Sequence, residues 1–299
     1  RPESPGLSPL VESKELPHFF ICPNFSDETG HKMMIPRLNT NPNLKPDYAE
    51  FLAALAKTSF SGDIRGEFAS RLISSTDNSI YQILPQAVVF PKTTNDLVEL
   101  FKLANPDNYK QITFSLRGGG TGTNGQSLSP GIIVDCSKYM NQILEVNLEA
   151  GWVRVQPGVV LDQLNAELRQ FGVFFAPNLA PSNRATIGGM INTDACGVGS
   201  RIYGRTSNHI LELEWVLSDG TVGRSLSLDI PNLSQLKQQS NRLGEIYSRV
   251  DEIVTTKQDL IAETFPKMTR FLTGYNLAKV YSPQRDSFNL NWIFAGSEG

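Results

Sequence analysis

Residues 111–130, QITFSLRGGGTGTNGQSLSP, decide how the rest of the chain is read. A short β-type run at 112–116 leads into Arg117, then Gly118, Gly119, Gly120, Thr121, Gly122, Thr123, Asn124 and Gly125. Five glycines in eight residues do not make a helix or strand interior, because each costs backbone entropy and packs no side chain. They suit a main chain that must approach a ligand closely. Successive N–H groups in such a turn form a concave nest for phosphate oxygens. Arg117 adds a fixed positive charge at the entrance.

The loop is not a Walker A motif, since no Gly-Lys-Ser/Thr follows at the required spacing. Gly120, Gly122 and Gly125 fit G-x-G-x-x-G literally, but a Rossmann site also needs a helix opening on the loop. Asn124, Gly125 and Pro130 oppose a helix, and residues 131–135, GIIVD, read as a buried strand. Upstream, residues 87–90, AVVF, form a short apolar strand closed by Pro91. Thr93 or Thr94 then caps a helix with Asp96 in its first turn and Leu97, Leu100, Phe101 and Ala104 on one face. The glycine loop thus follows a strand–helix–strand unit. Further upstream, residues 47–57 read as a helix with Tyr48, Phe51, Leu52 and Leu55 at helical spacing.

Downstream, 143–146 and 151–155 suggest a strand pair, and 161–171 an amphipathic helix with Leu161, Leu164, Leu168 and Phe171 inward. Residues 173–175 read as a short strand. A second glycine-bearing block follows, APSNRATIGGMINTDACGVGSRIYGR, residues 180–205. It interleaves small residues with Ser182, Asn183, Thr186, Asn192 and Thr193, side chains that hydrogen-bond a polar ligand. Residues 210–217 alternate as a half-buried strand, and 218–221 turn it back as a hairpin. Residues 232–264 are helix-rich, with Leu236, Leu243, Ile246, Tyr247, Val250 and Ile253 as the apolar face. A long ligand touching both glycine blocks, with phosphates at the first and an extended polar ring system at the second, is the simplest account of the pair.

Composition narrows the classes further. The chain has 299 residues, 40% hydrophobic and 19% charged, the balance of a soluble globular protein of one large domain or two. Its 27 basic and 30 acidic residues give a net charge of -3 with no basic run, which argues against nucleic acid or an anionic membrane surface as the main partner. No apolar run spans a bilayer. Residues 1–33, punctuated by Pro2, Pro5, Pro9, Pro17 and Pro23, read as an irregular extension without the pattern of a secretory signal. Cys22, Cys136 and Cys196 are widely spaced and form no CxxC pair, so they read as free thiols in a reducing cytoplasm.

The motifs RGGGTGTNG, GIIVD, WVRVQPGV and PSNRATIGGMINTDACGVGSRIYGRTSNHIL resemble the FAD-binding domain of the vanillyl-alcohol-oxidase/PCMH flavoproteins. The branch they resemble is that of bacterial FAD-linked D-2-hydroxyglutarate dehydrogenases, related to D-lactate dehydrogenases and glycolate oxidase. The resemblance covers roughly residues 34–299. It implies an α+β fold: two α/β subdomains, one with a small parallel sheet and one with a larger mixed sheet, and FAD between them. It implies three segments: an extension at 1–33, a helical lead-in at 34–83, and the FAD-binding domain at 84–299, with the substrate cap domain and iron–sulfur region absent. The implied activity is oxidation of a D-2-hydroxy acid, with a downstream electron acceptor, in the cytoplasm or peripheral at the inner membrane.

Carried over by residue, the resemblance places the pyrophosphate loop on Arg117, Gly118, Gly119, Gly120, Thr121 and Gly122, with Thr123 and Asn124 beside it. Pro181, Ser182, Thr186, Gly188, Gly189 and Asn192 match the second FAD segment. Ala195, Gly197, Tyr203 and Gly204 match residues along the isoalloxazine and ribityl, and Ile210 a backbone position at the adenine or flavin edge. Some relatives tether FAD through a histidine where this chain has Thr121, so non-covalent FAD is expected. A 4Fe-4S cluster or a divalent metal is expected only in a further C-terminal part, and no catalytic residue is assigned. Other readings stay open: an FAD module without turnover, a UDP-N-acetylenolpyruvoylglucosamine reductase-like flavoenzyme, or a nucleotide-binding interaction protein. Single residues take structural readings first: His209, Trp152, Trp215, Asp135 and Asp194. Arg184 and Arg205 are evenly balanced between a solvated or salt-bridged role and contact with ligand phosphate or carboxylate.

Overall fold

The computed structural model describes residues 43–268 and 274–298. The expectations for residues 1–33, Cys22 among them, lie outside the described residues. The first sheet is built around the strand–helix–strand unit. α1 spans Pro46–Leu55, β1 Asp63–Arg65, α2 Phe68–Ile73, β2 Ala87–Phe90, α3 Thr94–Ala104, β3 Phe114–Arg117 and β4 Ile132–Asp135. The strand order is β1-β2-β4-β3. β2, β4 and β3 run parallel, and β1 is antiparallel at the edge. β2 and β4, at the middle, carry the continuous apolar runs expected of strands covered on both faces; Val88, Ile132 and Ile133 have no exposed surface.

Thr93 is the cap of α3. Its side chain accepts from the Asp96 backbone, and the Asp96 carboxylate accepts from the Thr93 N–H in return, a reciprocal capping box. Asp96 does more than favour the helix dipole. It is buried, and its carboxylate also takes the backbone N–H of Ser61 at 2.6 Å, that of Lys92 at 2.7 Å and the Ser61 hydroxyl at 3.1 Å. One carboxylate thereby ties the 59–62 turn to the start of α3. α1 packs into the same core: Phe51 and Leu55 are fully buried, and Phe51 meets the rings of Tyr109 and Phe114 edge-on at 5.2 and 5.8 Å.

Asp63 in β1 accepts from Lys138 Nζ at 2.6 Å and from the Tyr139 hydroxyl at 3.0 Å. The Lys138 hydrogen bond is the chief cause that holds its carboxyl down at about 2. The folded value lies below the unfolded carboxylate value of about 4, so this contribution is present above about pH 4 and is lost as pH falls towards 2. Asp63→Asn should flatten that part of the acid-unfolding curve; a curve identical to that of the unaltered protein between those pH values counts against the assignment.

The rest of the chain folds around two further cores. β5 (Ile143–Asn147) and β6 (Trp152–Val155) pair antiparallel, followed by α4 (Leu161–Arg169), α5 (Ile187–Asn192) and α6 (Ser200–Tyr203). β7 (Glu212–Val216) and β8 (Val222–Asp229) form the expected hairpin. Then come α7 (Ile230–Lys237), α8 (Arg242–Thr256), α9 (Gln258–Thr264), β9 (Ser287–Asn289) and α10 (Asn291–Phe294). β9 pairs antiparallel with β8.

Several expectations are corrected here. Two antiparallel sheets, of two and three strands, stand in place of one larger mixed sheet. Residues 173–175 make no strand: the Asn165 side chain takes the Phe175 N–H at 2.7 Å, and Val173 and Phe174 face outward. Phe171 is off the apolar face of α4, because the helix ends before Gly172, which sits at φ 73°. On the 232–264 helices the expected Tyr247, Leu236, Ile246 and Val250 do pack into the core, together with Leu233, Val254 and Ile261, but Ile253 is exposed. Trp152 and Trp215 are half-buried rather than core: Arg154 lies over the Trp152 ring, and Trp215 stacks on Phe294.

Candidate functional site

In a parallel sheet the crevice beyond the carboxyl ends of the strands is where ligands bind. The glycine loop leaves from that end. Arg117 closes β3 in register with Asp135 at the end of β4. Asp135 itself caps the next turn, accepting from the Ser137 backbone and hydroxyl at 2.8 and 2.6 Å.

The loop does not lie alone against solvent. A Cβ on Gly118 would fall 2.1 Å from Thr186 Oγ1, and one on Gly119 would fall 2.0 Å from the Arg184 carbonyl oxygen. The two glycine blocks, far apart in sequence, are therefore in contact: Gly119 lets the backbones meet, and Gly118 makes room for the Thr186 hydroxyl. Thr186 is shared: it also caps α5, accepting from the Gly189 N–H at 3.4 Å. Gly120 sits at φ 60°, with the Arg117 guanidinium against it. From Gly118 to Thr123, no backbone N–H meets an acceptor among the described residues. A row of unpaired donors on a turn of this shape is the nest that an anionic group such as a diphosphate fills.

Arg117 braces the loop from behind. Its terminal nitrogens donate to the carbonyls of Ser74 at 3.3 Å and Thr76 at 2.7 Å. Burial lowers its proton affinity, with Arg184 nearby acting in the same direction and Asp135 and Asp77 opposing. The segment it holds, 74–82, was not singled out from sequence. Asn78 donates its N–H to the Gly120 carbonyl at 3.0 Å, and Asp77 accepts from the Ser127 hydroxyl at 2.9 Å. Burial alone would raise the Asp77 carboxyl, but hydrogen bonds from Ser79 and Ser127 and the charge of Arg117 hold it below its ordinary value. Tyr81, half its surface exposed, stands beside Gly125. The signal for this segment is its run of short polar residues, STDNS, which bond neighbouring backbone in loops.

The other expected residues form a second cluster joined to the first by α5. Gly188 packs on Pro157, and Asn192 ends the helix. Beyond it Asp194, buried at φ 44°, forms an ion pair with buried Arg205. Its carboxylate also accepts from the Ser207 N–H at 2.8 Å and hydroxyl at 3.0 Å. Thr206 donates its N–H and hydroxyl to the Ala195 carbonyl at 3.0 and 2.7 Å. These bonds pin together the two ends of the loop 196–204, which carries Gly197, Tyr203 and Gly204. Gly197 lies against the Asn178 carbonyl, and Tyr203 meets Phe174 edge-on at 5.8 Å. Val198 and Ile202 at the loop's tip are exposed. Ile210 continues half-buried into β7. Pro181 and Ser182 form the half-buried turn before α5, and Thr121 and Gly122 are half-buried in the nest. Thr123 and Asn124 are exposed, the Asn124 N–H being taken by Gln126 at 3.0 Å.

His209 is held to the Tyr203 carbonyl at 2.7 Å with its ring against Phe175, which favours its structural reading over a base. Cys136 is buried and pushed up to about 12 by that burial, an inert thiol, while Cys196 is half-buried. Among the described residues no cluster of His, Cys, Asp or Glu could hold a metal ion, and no helix is long and apolar enough to cross a membrane.

Comparison with known proteins agrees with this geometry. The family described as FAD binding domain matches residues 85–225, which takes in both glycine blocks. D-2-hydroxyglutarate dehydrogenase of Escherichia coli is 48% identical over 266 residues, covering 89% of this chain and 26% of that protein. The Pseudomonas putida protein of the same name is 51% identical over 253 residues, covering 85% and 25%. The chain thus spans about a quarter of the length of these curated relatives. Among solved structures, BBE-like 1 from Physcomitrella patens superposes with a TM-score of 0.51 at 23% identity, over 60% of this chain and 37% of that one, which shows the fold.

Proposed function

We propose that this chain, which carries an FAD-binding domain at residues 85–225, is the flavin-holding part of an FAD-dependent dehydrogenase acting on a D-2-hydroxy acid. The observation that carries the reading is the contact of the two glycine blocks around a row of unpaired N–H donors, in a chain 48–51% identical to D-2-hydroxyglutarate dehydrogenases. Bound there, FAD would supply the hydride acceptor for oxidation at the substrate Cα.

The chain's own residues do the holding. The N–H groups of 118–123 donate to the diphosphate, and the Arg117–Ser74–Thr76 brace keeps the turn in shape before the ligand arrives, which lowers the ordering cost of binding. α5 carries the contact from Thr186, beside the nest, to Asp194. The Asp194–Arg205–Ser207 lock then fixes the loop whose Val198, Ile202 and Tyr203 offer an apolar surface to the ring end. No histidine stands at Thr121, so the flavin is held without a covalent bond. A location in the cytoplasm or peripheral at the inner membrane, with an electron acceptor downstream, belongs to the same proposal.

A second reading is an FAD module that does not turn over by itself. Anaerobic addition of D-2-hydroxyglutarate to the FAD-loaded protein separates the two. The dehydrogenase reading expects the flavin absorbance to bleach with the D enantiomer and to persist with the L enantiomer. A loaded flavin that stays oxidised with D-2-hydroxyglutarate and with D-lactate supports the module.

A further inference from the structure

Arg184 and Arg205 flank the second block and are equivalent in sequence, but the fold separates them. Arg205 is buried and committed to Asp194. Arg184 is exposed on the turn before α5, its backbone N–H donating to the Pro181 carbonyl at 2.9 Å. Its guanidinium makes no hydrogen bond or ion pair among the described residues. Its carbonyl oxygen packs against Gly119, 2.0 Å from where a Cβ would lie, so the side chain starts at the wall of the nest. Arg117, close enough to feel the charge of Arg184, lies against Gly120 with its donors given to the carbonyls of Ser74 and Thr76. Two like charges held at one turn repel, and an anion between them turns that repulsion into attraction.

We propose that Arg184 is the side-chain clamp on a diphosphate held by the 118–123 backbone, supplying the charge-assisted hydrogen bonds that Arg117, committed to the 74–76 carbonyls, leaves to another group. The proposal rests on the FAD reading and names a residue that the glycine motif does not contain. A guanidinium presents a planar fork of donors that matches phosphate oxygens, which an ammonium does not reproduce.

The test is a titration of the unaltered protein, Arg184→Gln and Arg184→Lys with three probes: FAD, ADP (the diphosphate without the flavin) and riboflavin (the flavin without phosphate). Arg184→Gln is expected to weaken FAD and ADP by about tenfold, the size of one hydrogen bond to a charged group. Arg184→Lys should recover part of the loss, and riboflavin should be indifferent to all three. An exposed site leaves the melting temperature of the cofactor-free protein unchanged. FAD and ADP bound equally well by Arg184→Gln would show a solvated arginine and overturn the proposal. An equal loss for riboflavin overturns it too. Failure of the unaltered protein to bind FAD sinks the underlying reading instead, which keeps the two failures apart.

Discussion

Asp194→Ala is expected to lower the stability of the protein by about 3–5 kcal/mol, the cost of leaving one partner of a buried ion pair uncompensated. Asp194 and Arg205 are 3% and 8% exposed, so neither charge has water to fall back on. The carboxylate also satisfies the Ser207 N–H and hydroxyl, which the alanine would orphan. Alanine is further disfavoured at φ 44°, a left-handed conformation that aspartate and asparagine tolerate. Asp194→Asn therefore isolates the charge: it keeps the backbone and an acceptor for Ser207, and should cost less than alanine while removing the negative charge that faces Arg205. Urea unfolding of both variants measures this. A loss below about 1 kcal/mol for Asp194→Ala would place the pair among surface ion pairs of little consequence and contradict the lock. Because the pair closes the 196–204 loop, FAD affinity should fall along with stability.

Gly119→Val is expected to weaken FAD binding by between about tenfold and a hundredfold, since forced overpacking costs ~1–3 kcal/mol and 1.4 kcal/mol is tenfold. The effect begins inside the protein. A Cβ at 119 would meet the Arg184 carbonyl oxygen, a backbone atom of the second block, before it met any ligand. The substitution prises the two blocks apart and removes the shape of the nest. It should therefore lower the melting temperature of the cofactor-free protein as well, which a clash with ligand alone would not. FAD titration with unchanged affinity would refute the nest; weakened binding at an unchanged melting temperature would return the clash to the ligand.

Much of the first subdomain was legible because its signals are local. Val88 and Val89 between turn residues, Thr93 and Asp96 three apart, and the glycine run after Leu116 each announce themselves within a few residues. The strand expected at 173–175 failed because a side chain eight residues before Val173, Asn165, claims the backbone that a ladder would need. On the long helices Tyr247, Leu236, Ile246 and Val250 pack into the core as their spacing suggests, whereas Ile253 gives way to its neighbour Val254 on the same helix, α8. The site shows the same division. The residue types of both glycine blocks were readable, but their contact through Gly118, Gly119, Thr186 and Arg184 is a property of the fold. Nothing adjacent to Arg184 or Arg205 told them apart; the difference is made by Asp194 reaching one of them. The 74–82 segment matters only because Arg117, more than 30 residues later in the chain, turns back to hold it.

The most direct test of the account is a stoichiometric FAD titration of the purified protein, followed by denaturation and filtration. One FAD per chain, with the visible flavin spectrum of a bound cofactor and all of the flavin in the filtrate after denaturation, is the predicted result. A protein that acquires no flavin spectrum at saturating FAD would contradict the central claim, and flavin retained on the denatured polypeptide would contradict the non-covalent site that Thr121 implies.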